Sequence, residues 1–501
     1  MKAPSRSVQL PPPVGGWDTR EALADMPTKN AVILDNMFPS TDKVTLRRGS
    51  SDHATGIGSP VESLLEYTAS DGDGQLFAVG GGSVYEVTTS GAVGAAVVTG
   101  FTNSRFQQEQ VTTAGGQFLF ACNGQDTPKT YDGSSWANTT ITGPTVANIV
   151  WCNLYQTRLW VGEINSLSAW YLATGAIGGS ATELKLPAKL GGYIMAMGTW
   201  TRDAGDGADD VAVFFTSEGE VFIYQGSDPG ASDWAFVGRF RIGKPVGRRC
   251  MVRAGADIVL VTQDGFVSAA TILTVDRSQV DKAAISAQIN KAVNDAVRSY
   301  GGLFGWQPFI YPKGTMLIFN IPISSTQAHQ YVFNTITGAP CRFTGLNALC
   351  WGLLNNNAYF GTSDGSVCLS DSGYSDNGND IEGDALQAFY EFPPKGSTKA
   401  FKRVEPIFES NGDPEAALDL NIDYQIRTPT GVSGSSPSSA ARWGISKWGV
   451  GVWGTASQIF RGWRVIIGQG RSASLRVRIT TTTVRPSWVA TNFTYIPGGQ
   501  L

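Results

Sequence analysis

The sequence "NAYFGTSDGSVCLSDSG" at residues 357–373 holds two short apolar runs on either side of Ser-Asp-Gly, which predicts a tight β-hairpin. The same stretch spells G-x-S-x-G, the nucleophile elbow of serine hydrolases, at residues 361–365. An elbow places a helix after its serine and draws Asp or Glu and then His from later in the chain. Both histidines, His53 and His329, precede Ser363. We therefore interpret this stretch as a hairpin and not as a catalytic site.

The hairpin motif recurs along the chain, which indicates a repeated structural unit. "VGGGSVY" (79–85), "TSEGEVF" (216–222), "TQDGFVS" (262–268) and "TSDGSVC" (362–368) align on a Gly-x-Val core, and an apolar run precedes each copy. We expect the glycine to supply a positive φ at a turn and the valine to re-enter a buried strand. The aligned turn glycines are Gly82, Gly219, Gly265 and Gly365.

The spacing of these hairpins predicts a β-propeller. The aligned glycines are separated by 137, 46 and 100 residues, close to three, one and two repeats of about 46. Weaker hairpins at 117–133, 158–172 and 315–334 fill the gaps. Propeller blades repeat every 40–50 residues or so. We predict an all-β protein with a six- or seven-bladed β-propeller over 56–375.

One segment departs from the β pattern. Residues 281–300, "DKAAISAQINKAVNDAVRSY", place apolar side chains at Ile285, Ile289, Val293 and Val297, which predicts an amphipathic helix that ends at Gly301-Gly302. The helix would be inserted between two blades, with its apolar stripe packed on the propeller or against a neighbouring subunit.

The remaining chain predicts further β structure. After 376–400, a connector, longer alternating strands at 401–501 indicate an additional antiparallel β domain that is basic and rich in Trp. Residues 1–55 indicate an extended or β segment, for which packing on the C-terminal domain is one arrangement. No apolar run is long enough for a membrane span, and the first residues lack a secretory signal. The six scattered cysteines are most simply buried thiols, although a Cys341–Cys350 bridge is an alternative.

The charge is unevenly distributed along the chain. No Asp or Glu follows Asp423, while nine basic residues do, so the first 423 residues carry a net charge of −13. This polarity predicts contact between the C-terminal domain and an acidic partner or neighbouring subunits. Ordinary strand surface and direct DNA binding are the alternatives. The candidate interface residues are Arg442, Lys447, Arg461, Arg464, Arg471, Arg476, Arg478, Trp443, Trp448 and Trp453.

Signatures of catalysis and of cofactor or metal binding are weak. The acidic run "DAGDGADD" (203–210) fails the EF-hand pattern because glycines occupy two ligand positions. No P-loop, dinucleotide fingerprint or H-E-x-x-H is present. We expect a protein that is not an enzyme and binds no cofactor or metal; an enzyme with unrecognised catalytic carboxylates is the alternative.

Several long segments resemble tail proteins of short-tailed bacteriophages. They are "PPPVGGWDTREALADMPTKNAVILDNMFPSTDKVTLRRGS" (11–50), "NSLSAWYLATGAIGG" (165–179), "GGYIMAMGTWTRDAGDGADDVAVFFTSEGEVFIYQGSDPG" (191–230) and "FRIGKPVGRRC" (240–250). The resemblance is to the tail tube or nozzle (hub) proteins below the portal and adaptor rings, and it weakens after residue 401. It implies a propeller, a homo-oligomeric ring that is commonly a hexamer, and attachment of tail fibres or a needle. It brings no catalytic residues.

This resemblance implies a structural virion protein, made in the host bacterial cytoplasm, that conducts double-stranded DNA during ejection without sequence specificity. A lumen that carries DNA should offer few basic contacts, because each one holds the duplex by counterion release. The alternative is a carbohydrate-binding propeller with Trp136, Trp160 and Trp170 as sugar platforms.

Overall fold

The computed structural model describes residues 4–201, 210–274, 282–430, 436–437 and 457–498, and the fold is all-β. Helical segments in these ranges include the α-helices Ala269–Thr274 and Asn290–Tyr300 and the 3-10 turns Val146–Asn148 and Ala287–Ile289. The chain forms two compact units. Unit 1 comprises 1–51, 330–346 and 370–501, and unit 2 comprises 52–329 and 347–369.

Unit 2 is built from small antiparallel sheets that follow one another along the chain. In chain order, the strands of the first three sheets are Val61–Thr68, Gly74–Gly80 and Ser83–Glu86; Gln107–Thr113, Gly116–Cys122, Lys129–Tyr131 and Trp136–Asn138; and Ile149–Tyr155, Arg158–Glu163, Ser168–Tyr171 and Thr182–Lys185. The strands of the fourth and fifth are Ile194–Thr201, Asp210–Thr216, Glu220–Gln225 and Ala235–Arg241; and Met251–Ala254, Asp257–Thr262 and Gly265–Ser268. The sixth set is Gln307–Tyr311 and Met316–Pro322, and the seventh is Cys350–Leu354, Asn357–Gly361 and Val367–Ser370. Strand Ser50–Thr55 joins the last of these sheets beside Val367–Ser370, and Gly91–Ala92 pairs with it in parallel. A separate parallel pair joins Ile141–Thr142 and Gly179–Ser180.

The first strand of each sheet, here called an inner strand, contacts the inner strands of the sheets before and after it in the chain. The inner strand of the last sheet, Cys350–Leu354, contacts that of the first, Val61–Thr68. The inner strands therefore form a closed circuit. The hydrophobic clusters lie between consecutive sheets, as where Trp151 and Trp160 of one sheet pack with Phe214 and Phe222 of the next.

The four aligned glycines all lie at or beside the turn between the second and third strands of a sheet, and φ is 72° at Gly82, 79° at Gly219, 128° at Gly265 and 86° at Gly365. At Gly219 a Cβ atom would lie 2.4 Å from the carbonyl oxygen of Ile242. Glycine is required there for two reasons, because the left-handed backbone and the close neighbour both disfavour a side chain.

Polar side chains connect neighbouring inner strands. Gln108 Oε1 accepts a hydrogen bond from the Glu66 amide at 2.7 Å, and Glu66 Oε1 accepts one from the Leu353 amide at 2.6 Å. Gln307 exchanges two bonds of 3.1 Å with the backbone of Trp351. These bonds satisfy backbone groups that a sheet edge would otherwise leave open.

The helix at Asn290–Tyr300 is shorter than the helix predicted over 281–300. Ser286 interrupts the helical pattern upstream, because its hydroxyl accepts a hydrogen bond from the Phe266 amide at 2.9 Å and donates to Asn290 Oδ1 at 2.5 Å. Side chains of this type compete with helical hydrogen bonding. Ile289 and Val293 are buried, so the predicted stripe does face a packed surface.

Unit 1 contains two larger sheets. One comprises Met37–Pro39, Val44–Leu46, Ser487–Pro497, Lys399–Ser410, Gln458–Arg461 and Arg464–Gly470, with Arg6–Leu10 paired to Ser487–Pro497. The other comprises Pro340–Phe343, Asn30–Asp35, Ile381–Gln387, Ser472–Thr481, Tyr390–Glu391, Ala417–Ile422 and Gly16–Trp17. Strand Ala328–Asn334 pairs with Pro340–Phe343 from Gln330 onward, and Gly412–Asp413 pairs with Ser436–Pro437.

The predicted boundaries and the two units divide the chain differently. Residues 330–346, which we predicted as part of the propeller, lie in unit 1, and the predicted connector 376–400 contributes the strands Ile381–Gln387 and Tyr390–Glu391 to unit 1. Residues 1–51 also belong to unit 1.

A buried arginine holds three segments of unit 1 together. Both Nη atoms of Arg47 bond to the Asp376 carboxylate, at 2.8 and 2.5 Å. Its Nε donates to Asn36 Oδ1 at 2.8 Å, and its Nη2 donates to the Thr344 carbonyl at 2.8 Å. Only 2% of the Arg47 side chain is exposed. A charge this deeply buried requires such complete pairing.

Candidate functional site: basic strands and a charged cavity

The described part of the predicted C-terminal interface separates into exposed and paired arginines. Arg461, Arg464 and Arg471 are exposed on or beside the strands Gln458–Arg461 and Arg464–Gly470. Arg476 is buried and forms a bidentate pair with Asp384, with distances of 2.8 and 2.6 Å. Arg478 donates to Glu382. These two arginines therefore stabilise unit 1 internally, because their charges are already matched.

The other members of the predicted interface lie outside the described residues. They are Arg442, Trp443, Lys447, Trp448 and Trp453.

Exposed apolar side chains accompany the exposed arginines. Together the two strands at 458–470 run antiparallel to Lys399–Ser410, and within the described chain no strand pairs with their other edge. We call the exposed side chains of residues 458–470 the outer-strand patch. Its apolar members include Ile459, Trp463, Val465 and Ile467, which are 63%, 45%, 71% and 82% exposed. Sequence reasoning identified the charges here and missed the apolar side chains, although "RVIIG" places three of them in succession.

The residues considered for other functions have structural contacts. Trp160 is completely buried and stacks on Trp234 with ring centroids 5.9 Å apart, so its face is not available to a sugar. Trp170 is half-buried and donates to Glu163 Oε2 at 3.1 Å. Trp136 is half-buried and packs with Phe77.

The histidine and cysteine side chains of unit 2 also take part in packing. His53 Nε2 bonds to the Val87 carbonyl at 2.8 Å, and its ring contacts Tyr359. Ser363 lies in the hairpin turn between Asn357–Gly361 and Val367–Ser370. In the whole chain the six cysteines are buried and free.

The acidic run at 203–210 lies outside the described residues except for Asp210, which accepts a hydrogen bond from the Thr201 hydroxyl at 2.7 Å. Across the described ranges, no group of three or more His, Cys, Asp and Glu is arranged to hold a metal ion. None of the helices in those ranges has the length and apolar content of a membrane span.

A cavity of about 320 Å³ lies among the inner strands of unit 2. Every inner strand contributes to its lining, and the polar lining includes Glu66, Gln107, Gln108, Glu109, Asn153 and Gln307. The run "QQEQ" at 107–110 was the available signal in the sequence, because consecutive polar residues in a strand between apolar ones indicate a face that is not packed in a core.

Two carboxyl groups line this cavity. Burial raises the pKa of Glu66 to about 7, and the amide of Leu353 opposes that rise by hydrogen bonding to the carboxylate. Burial also raises the pKa of Glu109 to about 7, and the positive charge of Arg253 acts in the opposite direction. Near neutral pH, these two groups are therefore partly protonated.

A second cavity of about 320 Å³ shares Gln107, Arg248 and Arg249 with the first. Arg105 and the segment 301–306 also line it. The guanidinium carbons of Arg105 and Arg249 lie 4.3 and 5.2 Å from the ring centroid of Phe304. Three arginines thus line this cavity, and two of them, Arg105 and Arg249, pack on the ring of Phe304.

Comparisons with known proteins identify no family. No protein-family model matches the chain, and no curated protein sequence matches it. A computationally designed protein, Ika8, matches 64% of this chain and 99% of its own, at 10% identity and a TM-score of 0.39. BBS1N, solved in complex with ARL6DN, matches 65% of this chain and 97% of its own, at 10% identity and a TM-score of 0.40.

Proposed function

We propose that unit 2 is a seven-bladed β-propeller. The support is the closed circuit of inner strands, each beginning a small antiparallel sheet, together with hydrophobic clusters between consecutive sheets. In this arrangement strand Ser50–Thr55 completes the last blade beside Val367–Ser370. Joining early and late strands in one blade would close the ring of blades and leave few open sheet edges.

We propose that the protein is a structural component of a short-tailed phage virion, forming the ring of a tail tube or nozzle. The resemblance of residues 11–50, 165–179, 191–230 and 240–250 to that family supports this function. Closed propellers and a second β unit suit a rigid ring wall. In this function the ring would be a homo-oligomer, most simply a hexamer, with an adaptor or portal-side ring above and a fibre or needle attached.

The observation that carries the proposal is the outer-strand patch. Ile459, Val465 and Ile467 expose apolar surface on two edge strands that also carry Arg461 and Arg464. A monomeric protein is expected to protect such an edge from pairing with another chain. In the proposed ring, this edge contacts a neighbouring subunit or an acidic ring partner.

The charge distribution supports passage of DNA. The first 423 residues carry a net charge of −13, so a lumen supplied by them would offer a transiting duplex few sites that retain it by counterion release. The basic residues after Asp423 would then serve protein contacts, and binding of DNA would not depend on its sequence.

Electron microscopy of the purified full chain, alone and with the adaptor ring of the parent virus, tests the proposed function. We expect rings with an open lumen. The double variant Val465→Glu/Ile467→Glu should abolish them, because it places charge on the apolar edge. Ile336→Glu is the matched control, since Ile336 is 72% exposed in unit 1 but lies outside the patch.

Rings that are unchanged in the double variant would show that the outer-strand patch does not form the contact between subunits of the ring. Particles that stay monomeric in both preparations, or virions that lack this chain by mass spectrometry, would refute the proposed function.

A further inference from the structure

The second cavity of unit 2 concentrates positive charge that the described residues do not fully neutralise. Arg105 pairs with Glu62 through Nε and Oε1 at 3.0 Å. Arg248 and Arg249 form no ion pair within 4 Å in the described chain, and the Nη1 atom of each is buried without a hydrogen-bond partner there. A buried donor left unpaired is unfavourable.

The two arginines differ in how they are held. Arg249 Nη2 donates to the Glu62 carbonyl, the Ser63 hydroxyl and the Phe106 carbonyl, at 2.9, 2.6 and 3.0 Å. Arg249 is therefore fixed through Nη2, while its Nη1 has no hydrogen-bond partner among the described residues. The guanidinium of Arg248 lies 5.6 Å from the ring of Tyr193, and the Arg248 carbonyl accepts from Gln107 Nε2 at 3.2 Å.

Neutralising groups nearby are already engaged or only partly charged. Glu62 pairs with Arg105, and burial raises the pKa values of Glu66 and Glu109 to about 7. Burial also lowers the pKa of Arg248 and of Arg249, and nearby groups such as Glu62 at Arg249 oppose that effect without cancelling it, so the compensation of these cations is incomplete. An anion in the cavity would supply that compensation.

The rest of the lining suits an organic anion. Side-chain amides of Asn103 and Gln125 and the apolar side chains of Val150, Ile164 and Leu303 share the cavity with the arginines. The carbonyl of Tyr300, at the end of the helix, accepts bonds from the Leu303 amide and Trp306 Nε1 at 2.9 and 3.0 Å, so it does not oppose an anion as a free acceptor. The volume, about 320 Å³, is at the small end of ligand pockets.

We propose that this cavity is a binding site for a small organic oxyanion, a carboxylate or phosphate compound that pairs with the guanidinium groups of both Arg248 and Arg249. Guanidinium groups match both kinds of oxyanion through charge-assisted bonds. The proposal does not depend on the function proposed for the ring.

Calorimetry and thermal unfolding of the full chain with citrate, inorganic phosphate or chloride at equal ionic strength test this site. We expect saturable binding of citrate or phosphate, a rise in Tm that follows it, and neither effect with chloride. Arg248→Gln removes one charged donor without removing the bonds that hold Arg249. It should weaken binding by about 10- to 100-fold.

Arg105→Gln, at a side chain that is 54% exposed, is a second variant that keeps the buried contacts and should weaken binding less. Arg241→Gln is the matched control, because Arg241 is exposed in unit 2 and does not line the cavity. Equal effects of chloride and the oxyanions, or unchanged affinity in Arg248→Gln, would overturn the proposal. Citrate binding without phosphate binding would assign carboxylates, and the reverse would assign phosphates.

Discussion

Replacing Glu66 by Gln should stabilise the protein at alkaline pH and leave its stability nearly unchanged at acidic pH. Burial raises the pKa of this carboxyl from its ordinary value of 4.5 to about 7. The folded protein therefore holds the proton more tightly than the unfolded chain does. The contribution of this carboxyl to the free energy of unfolding is fully present below about pH 4.5 and is lost as the pH rises toward 7. Above that pH it no longer changes.

The size of the effect follows from the two pKa values. The difference between 4.5 and about 7, at about 1.4 kcal/mol per pH unit, is worth about 3 kcal/mol. Glu66 lines a cavity, so any solvent that reaches the carboxylate would reduce this, and we expect a gain of about 2–3 kcal/mol at pH 8.5. The amide oxygen of the introduced glutamine would still accept the hydrogen bond from the Leu353 amide.

Thermal unfolding at pH 5.0 and pH 8.5 measures this difference. The expected rise in Tm for Glu66→Gln is about 3–6 °C at pH 8.5 and about a quarter of that at pH 5.0, where the carboxyl is largely ionised in the unfolded chain but still protonated in the folded protein. Glu86→Gln, at an exposed position on the strand Ser83–Glu86, is the matched control and should change little at either pH. An equal change in Tm at both pH values would refute the reasoning, because it would not depend on ionisation.

Three further predictions concern stability and thiol exposure. Arg47→Met should destabilise unit 1 by about 3–5 kcal/mol in denaturant titrations, because it leaves the carboxylate of Asp376 unpaired; Arg20→Met, in an exposed pair, should cost less than about 1 kcal/mol. Gly219→Ala should lower the free energy of unfolding by about 1–3 kcal/mol, because it forces a side chain onto a backbone with a φ of 79°. In the control Gly94→Ala the new Cβ atom meets nothing within 4 Å, so the free energy of unfolding should change by less than about 0.5 kcal/mol. Titration with a thiol reagent should find no rapidly reacting cysteine in the native protein and six after denaturation; native reactivity that matches the denatured count would show that the thiols are not buried.

The sequence was most informative where local chemistry determines structure. The glycines at 82, 219, 265 and 365 all have positive φ, since a tight hairpin turn excludes most side chains whatever surrounds it. The helix was predicted too long, because Ser286 bonds to Phe266, which lies 20 residues earlier in the chain. The residues around Ser286 in the sequence do not indicate a contact with a residue so far away in the chain.

The cavity residues could not be grouped from the sequence. Glu66, Glu109 and Arg248 are separated by tens of residues or more and meet only because the inner strands form a circuit. Polar residues within a strand pattern, such as Gln107 and Gln108, can mark an unpacked face, but they do not identify which other strands share it. Likewise, the sequence of the strand Arg464–Gly470 does not show that the strand lies at the edge of its sheet or that Ile467 is exposed.

The order of strands restricts when the protein can fold during synthesis. Strand Arg6–Leu10 pairs with Ser487–Pro497, and strand Ser50–Thr55 shares a sheet with Val367–Ser370. The first pairing needs a strand translated near the end of the chain, and the second needs residues beyond about 367 to leave the ribosome. Strand Arg6–Leu10 must therefore stay unpaired, or be held by a chaperone, until residues 491–495 have been translated, and the sheet that contains Ser50–Thr55 cannot be completed before residues 367–370 are available.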